Sequence, residues 1–300
     1  MLKIAYHPIY KLDLPEGHRF PMEKYELLPK QLIHEGTCEQ SNFFQPEFPE
    51  ERFILKVHTQ DYFKRLKNLE LDKKEVRKSG FPLSQNLVGR EQIIADGTMK
   101  CCDYALKHGI AMNIAGGTHH AYSNRAEAFC LLNDQAIGAR YLQSEKLAEK
   151  IFIVDLDVHQ GNGTAEIFKN ESSVFTFSMH GKGNYPFKKE QSDLDIELRD
   201  GTNDEEYLKQ LKSVLPELIE KTKPDFIFYL SGVDILETDK LGRLSCSISG
   251  CKERDRFVLQ ICKNLNIPVQ CSMGGGYSKD IKIIIEAHAN TYRLAQEIYF

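Results

Sequence analysis

The stretch Val154-Asp155-Leu156-Asp157-Val158-His159-Gln160-Gly161-Asn162-Gly163 follows the apolar run Ile151-Phe152-Ile153. A short, continuous apolar run of this kind reads as a buried strand of a parallel sheet, and the glycines after it as the loop where the strand breaks. Alternate residues of extended chain point the same way, so Asp155, Asp157 and His159 are expected on one face. Two carboxylates and an imidazole at a buried strand end are poor core material and good metal ligands. The reading then turns on whether distant segments bring partners to the same edge.

Outward from this stretch the chain alternates strands with helices. Strands are expected at residues 2–6, 53–57, 111–115, 151–155, 174–178, 194–198, 225–230 and 269–273. Helices are expected at 22–35 (with Pro29 a point of breakage), from a Thr59 cap onward, and at 72–78. Others follow from Ser84 to about His108, at 134–150, 164–169, 204–221 and 249–265, and from Gly274-Gly275-Gly276-Tyr277 to the carboxyl terminus. This alternation predicts one three-layer α/β/α domain over residues 1–300, with a mainly parallel sheet of about eight strands. No internal repeat or linker divides it.

Composition narrows the function classes. The 300 residues are 41% hydrophobic, enough for a large core, and the formal charge is −4. The longest basic tracts are pairs such as Lys188-Lys189, which argues against direct nucleic-acid binding. The eight cysteines show no paired metal-knuckle spacing and read as free thiols of a reducing compartment. Residues 1–6 look like a strand instead of a secretory segment, and no apolar run reaches membrane-spanning length. A soluble, cytoplasmic protein without a membrane partner is the expectation.

In open parallel sheets, ligands bind beyond the carboxyl ends of the strands. Four polar or glycine-rich motifs fall at such ends: 116–120, 155–163, 232–234 and 274–277. Asp157, His159 and Asp234 would offer one nitrogen and two oxygen donors, leaving a position open as a catalytic metal site does. Taken singly, Asp157 reads as a loop or capping carboxylate and His159 equally as a ligand or as a satisfied histidine behind one; their convergence with Asp234 favours the metal. His119-His120 follows Gly116-Gly117, and beside a metal the pair acquires a role. An activated water needs a base, and an amide's leaving nitrogen needs an acid. Asp155 and Asn162 are the candidate orienting partners, a carboxylate favouring imidazolium and a neutral amide not. The glycines at 274–276 lack phosphate-loop spacing; they let Gly275 approach closely and aim the Tyr277 hydroxyl at an oxyanion. Phe129 is core by default, or a wall of a narrow apolar channel if it faces the metal.

These residues resemble the zinc-dependent histone deacetylase family of the arginase–deacetylase fold. The matching pieces are Gly116-Gly117-Thr118-His119-His120-Ala121, Phe129-Cys130 with Asn133-Asp134, Asp155 to Thr164, Gly232-Val233-Asp234 and Gly275-Gly276-Tyr277. The run Asp234-Ile235-Leu236-Glu237-Thr238-Asp239-Lys240-Leu241-Gly242-Arg243-Leu244-Ser245, and Asn162 itself, look most like the class IV branch. The resemblance implies zinc (or iron in the cell) on Asp157, His159 and Asp234. It implies His119 and His120 as general acid and base backed by Asp155 and Asn162, and Tyr277 polarising the scissile carbonyl. Phe129 and Gly275 would meet the substrate, an acylated lysine, with class IV suggesting longer acyl chains than acetyl. A structural potassium is implied near Asp155, Asp157, His159, Ser178 and Met179, and a second near Phe168, Glu171 and Val174. Rival readings with the same residues are a small-molecule amidase such as an acetylpolyamine deacetylase, which should carry an acidic rim, and a silent acyl-lysine binder. A two-manganese ureohydrolase lacks the carboxylates it would need. Glu127-Ala128 departs from the Gly-Gly that many relatives carry before the Phe, which re-shapes the channel floor. The rim loops at 11–21, 79–83 and 181–187 show no specificity pattern in sequence.

Overall fold

The central apolar run forms its strand, Ile151–Asp155, in a computed structural model that describes Met1–Phe300. All five residues are buried, as a strand covered on both faces requires. With this strand as β4, the others are β1 (Lys3–Ala5), β2 (Phe43–Phe44), β3 (Ile110–Asn113), β5 (Val174–Gly181), β6 (Leu194–Leu198), β7 (Phe226–Leu230) and β8 (Val269–Ser272). They form one sheet in the order β2-β1-β3-β8-β7-β4-β5-β6, with every neighbouring pair parallel. The four strands followed by the chemistry-bearing motifs, β3, β8, β7 and β4, are consecutive at the centre. Register aligns Asn113 with Ser272, Ser272 with Leu230, and Leu230 with Asp155. All four therefore end on one line, and their loops start level with one another.

Helices cover the sheet in two groups. The long α5 (Gln85–His108) packs on β1, β3 and β8 and against α6 (Asp134–Ser144). In the other group α10 (Ile281–Tyr299) touches α9 (Ile248–Asn264) and α1 (Lys24–His34), and α9 touches α8 (Asp204–Thr222). Shorter helices are α2 (Glu51–Ile54), α3 (Gln60–Lys67), α4 (Lys73–Ser79) and α7 (Asn162–Phe168). Local chemistry sets their starts: the side chains of Thr59, Asp72, Ser84, Asn133 and Asn203 accept from free N–H groups of the first turns. A single cluster of 81 buried apolar residues runs from Leu2 to Tyr299, so the chain has one core.

Several boundaries differ from the sequence reading. Residues 53–57 are not a strand; they continue α2 into a turn, because a short run with four apolar residues in five suits a buried helix end as well as a strand. The eighth strand is instead β2, two residues long and held at the sheet edge by β1. The helix after Asp134 stops at Ser144, six residues early, in a turn through Lys146 at positive φ. Pro29 lies inside α1 without ending it, since Leu28 and Leu32 anchor that face in the core. Tyr277 does not begin a helix: α10 starts four residues later, capped by Asp280. No helix is long and apolar enough to cross a membrane.

Candidate active site

Strand β4 ends at Asp155, so Asp157 and His159 stand in the loop beyond it instead of along one strand face. The loop nonetheless brings them to Asp234, which follows β7. One ligand atom from each lies within 4.8 Å of the others, and all three residues are buried. The Nδ1 of His159 faces Asp157 Oδ1 at 3.0 Å and Asp234 Oδ2 at 3.1 Å. Burial, followed by the charge of Asp157, pushes the Asp234 carboxyl above its usual range. Burial opposes a charge on His159, yet the two carboxylates outweigh it and push the imidazole up to about 10. Two buried carboxylates that share no lysine or arginine and draw a proton between them are a fitting cradle for a divalent cation.

Backbone donors hold this cradle open. Asp157 accepts from the N–H of Gly275 at 2.9 Å and of His159 at 3.0 Å, and Asp234 from the N–H of Val158 at 2.9 Å. A Cβ on Gly275 would lie 2.0 Å from Asp234 Oδ2, so only glycine lets the loop after β8 approach both carboxylates. Arg254, fully buried on α9, ties the loops together. It donates to the carbonyls of Leu156 at 3.2 Å, Gly232 at 2.6 Å and Ser231 at 3.1 Å, and pairs with Asp255 at 2.8 Å. Asp239 accepts from the N–H of Tyr277 at 2.6 Å, which sets the tyrosine at the edge of the metal cradle.

His119 and His120 lie with ring centres 4.1 Å apart and their planes tilted by 42°, but their partners differ. His119 Nδ1 meets Asp155 Oδ2 at 2.6 Å. Burial works against its charge, and Asp155 and then Asp157 overcome it, holding the pKa above the ordinary value. His120 Nδ1 meets Asn162 Oδ1 at 2.6 Å. Burial, then the charges of His119 and His159, press it well below the ordinary value. The Asn162 amide is oriented from behind. Its Nδ2 faces Glu127 Oε1 at 3.4 Å and the Tyr122 hydroxyl at 3.1 Å, and that hydroxyl is itself committed as a donor to Glu190 at 3.2 Å. A carboxylate can only accept, so the NH2 group must face Glu127 and the carbonyl must face His120. His120 then carries its proton on Nδ1 and presents a bare Nε2 to the cavity.

The loop that delivers both histidines turns through Gly116 and Gly117 at positive φ and is clamped by Asp134. This buried carboxylate accepts from the Thr118 N–H at 2.9 Å and from the hydroxyls of Thr118 and Thr98 at 2.7 Å each. Above the cradle, Phe129, Phe20 and Tyr277 form an aromatic wall with centroid separations of 5.1 to 6.1 Å. Ala128 and Phe129 sit at φ of 44° and 68°, a left-handed conformation kept by hydrogen bonds from their N–H groups to Lys78 and Ser79 at 2.9 and 2.7 Å. Burial, then Asp157 and Asp234, keep the Tyr277 hydroxyl protonated far above its ordinary range. The inner cavity between Tyr25, Ile94, Cys130 and the cradle holds about 40 Å³, room for about three waters. An outer cavity of about 340 Å³ opens it to solvent.

Of the residues expected at the site, Asp157, His159, His119, His120, Phe129, Gly275 and Tyr277 line these cavities, and Asp155, Asn162 and Asp234 stand behind them as hydrogen-bond partners. Gly275 lines the inner one, while its N–H serves the carboxylate Asp157. Ser178 pairs in register with Asp155, with Met179 next to it. Sequence reasoning missed Phe20, Lys24, Glu127 as an orienting group, Asp239 and Arg254. Lys24 is fully buried, its Nζ donating to the Gly274 carbonyl at 3.2 Å and standing 5.5 Å from the Tyr277 ring centre. Burial lowers its pKa to about 8, against the pull of Asp234, Asp157 and Asp239. The one signal in sequence was its place beside the Phe20-Pro21 segment of a rim loop.

Comparison with known proteins follows the same lines. The histone deacetylase domain family matches residues 18–292. The chain is 42% identical over 296 residues to an uncharacterized protein of Picosynechococcus, covering 99% of both. It is 27% identical over 305 residues to histone deacetylase 2 of Arabidopsis thaliana, covering 97% of this chain and 79% of that protein. Identity to histone deacetylase 1 of Homo sapiens is 27% over 287 residues, spanning 88% of this chain and 58% of the relative. Among solved structures it is similar to the HD domain of HDA15, with a TM-score of 0.80, 19% identity and coverage of 96% and 89%. It is also similar to an HDAC homologue complexed with SAHA, with a TM-score of 0.83, 24% identity and coverage of 98% and 82%. These two likenesses concern the fold.

Proposed function

This chain belongs to the histone deacetylase family of hydrolases, and on that premise we propose that it removes short acyl groups, acetyl foremost, from lysine side chains. The observation that carries the reading is the buried Asp157–His159–Asp234 cradle with His120, His119 and Tyr277 facing the same inner cavity. The size of that cavity, about 40 Å³, supports acetyl over the longer chains that the class IV resemblance suggests.

Asp157, His159 and Asp234 would hold the metal ion, for which we take zinc, with Fe(II) or Co(II) also suited to these donors. Such an ion supplies Lewis-acid polarisation of an amide carbonyl and acidifies water beside it. The protein's own groups do the rest. His120, neutral and with Nε2 bare, takes the proton from the attacking water. Its Nδ1–H donates throughout to the Asn162 carbonyl, which keeps the ring aimed. His119, biased towards imidazolium by Asp155, holds positive charge beside it and supplies a proton to the departing amine. The Tyr277 hydroxyl donates to the oxyanion as the carbonyl carbon becomes tetrahedral. Phe129 and Phe20 flank the methylene arm of the lysine and exclude water around it. A potassium ion near Asp155, Asp157, His159, Ser178 and Met179 would add fixed charge behind the cradle. Eight buried, unpaired cysteines support a cytoplasmic location.

The acetylpolyamine reading called for an acidic rim, and the side chains lining the mouth weigh against it: Arg19, Lys78 and Arg243 are there, and no carboxylate. The deciding experiment is hydrolysis of matched lysine peptides bearing acetyl, octanoyl and myristoyl groups, with and without a chelator. Chelator-sensitive release, fastest for acetyl, is expected. Faster release of myristoyl would reverse the acyl assignment, and tight binding without release would leave a silent acyl-lysine binder.

A further inference from the structure

We propose that the mouth selects acyl-lysine substrates carrying a carboxylate beside the acylated arm. The inference rests on the deacylase reading and adds the chemistry of what surrounds the acyl group. The mouth is lined by Arg19, Lys78 and Arg243 and by no acidic side chain, on a protein whose net charge is −4. Arg19 and Lys78 are exposed and form no ion pair, and only Arg243 is partnered, by Asp200 at 3.2 Å. Arg19 is held in place by stacking, its guanidinium 4.9 Å from the centre of the Phe129 ring. The positive end of the wall thus lies directly over the channel.

Neighbouring carboxylates are turned away from the opening. Glu127 is occupied by Asn162, by the Tyr185 hydroxyl and by Arg125 at 3.3 Å. Glu190 accepts from Tyr122, and Asp239 is filled by the N–H groups of Tyr277, Leu241 and Gly242. Asp13, Glu16 and Glu23 line an adjoining hollow that Arg19 also borders, and none of them forms an ion pair with it. Phe187, 85% exposed, and Leu241 complete the mouth with apolar surface. An acidic residue one or two positions from the acyl-lysine would meet Arg19 and Lys78 while its backbone crosses this surface. The free α-carboxylate of an acylated amino acid offers the same chemistry.

Exposed contacts of this kind are worth a few-fold each, so two predict about tenfold in kcat/KM, carried by KM and weakened by salt. The test uses the metal-loaded protein and acetyl-lysine peptides flanked by Asp and Glu, by Lys and Arg, or by Gly. Free Nε-acetyl-lysine and its α-carboxamide form a separate arm. Binding of the same labelled peptides to Tyr277→Phe is measured in parallel by anisotropy. We expect the acidic peptide to be preferred about tenfold over the basic one, the gap to close at high salt, and Arg19→Glu with Lys78→Glu to invert it. A larger discrimination between acetyl-lysine and its amide than between the peptides would assign the carboxylate to a small molecule. Turnover with equal or reversed flank preference overturns the proposal and leaves the deacylase reading intact. Tighter binding of acidic peptides without turnover does the opposite.

Discussion

At the floor of the site Asp157 accepts from two backbone N–H groups, Asp134 from four donors, and Arg254 serves three carbonyls. At the mouth, 340 Å³ of open space is ringed by Arg19 and Lys78, which touch no carboxylate. The floor is buried, so an unpaired polar atom there costs several kcal/mol and almost every one is matched. The mouth is in water, where unpaired charge is cheap and can be left for an incoming partner. Chemistry is thereby concentrated where geometry is rigid, and selection where it is loose.

The largest blow to the floor is His120→Ala. Losing the base should lower kcat by a factor of about 10² to 10⁴ with KM little changed. Near-normal turnover by a folded variant would remove His120 from the mechanism. Next is Arg254→Leu, which leaves Asp255 unpaired and three carbonyls without a donor. A loss of about 3–5 kcal/mol in chemical denaturation is expected, because both charges are buried. An unchanged midpoint would mean that the loops need no tie.

Lys24 sharpens the comparison, since it is a floor residue carrying the kind of unpaired charge otherwise left to the mouth. Its pKa of about 8 lies below the ordinary 10.5, so the folded protein binds fewer protons than the unfolded chain between those values. Stability from this group therefore rises with pH across that window. Lys24→Met should be more stable near pH 7 by up to about 3 kcal/mol, an advantage that fades as pH climbs from 8 to 10.5. Denaturation midpoints that run parallel for the two proteins over that range would count against it.

Smaller effects lie between floor and mouth. Glu127→Ala frees the Asn162 amide to turn and should lower kcat about tenfold, while Glu127→Gln keeps an accepting oxygen and most of the rate. Nitrogen-15 shifts of the His120 ring report the tautomer directly; one unaltered by Glu127→Ala would sever the link. Smallest is Ala128→Gly, which relieves a left-handed alanine and should raise stability by up to about 1 kcal/mol in thermal melts.

Legibility followed the same division. Asp157, His159, Asp234, His119, His120 and Tyr277 could be picked out in the sequence because each breaks the pattern of an apolar run at its polar end. Arg254 could not, lying in a helix where Lys252-Glu253-Arg254-Asp255-Arg256 reads as a solvated face. Lys24 was hidden for the same reason. Phe53 to Val57 misled because a short apolar run does not distinguish helix from strand.

By itself the sequence determined the chemical alphabet of the site and its place at strand ends, since apolar periodicity and glycine breaks are local properties of a chain. Only the tertiary structure decided that β3, β8, β7 and β4 lie side by side and end level, which makes four loops one site. It alone decided which charges are buried with partners and which are left facing water. The reason is physical: strand order and burial depend on contacts between residues far apart in the chain, such as Gly275 with Asp157 and Arg19 with Phe129, and no local pattern encodes them.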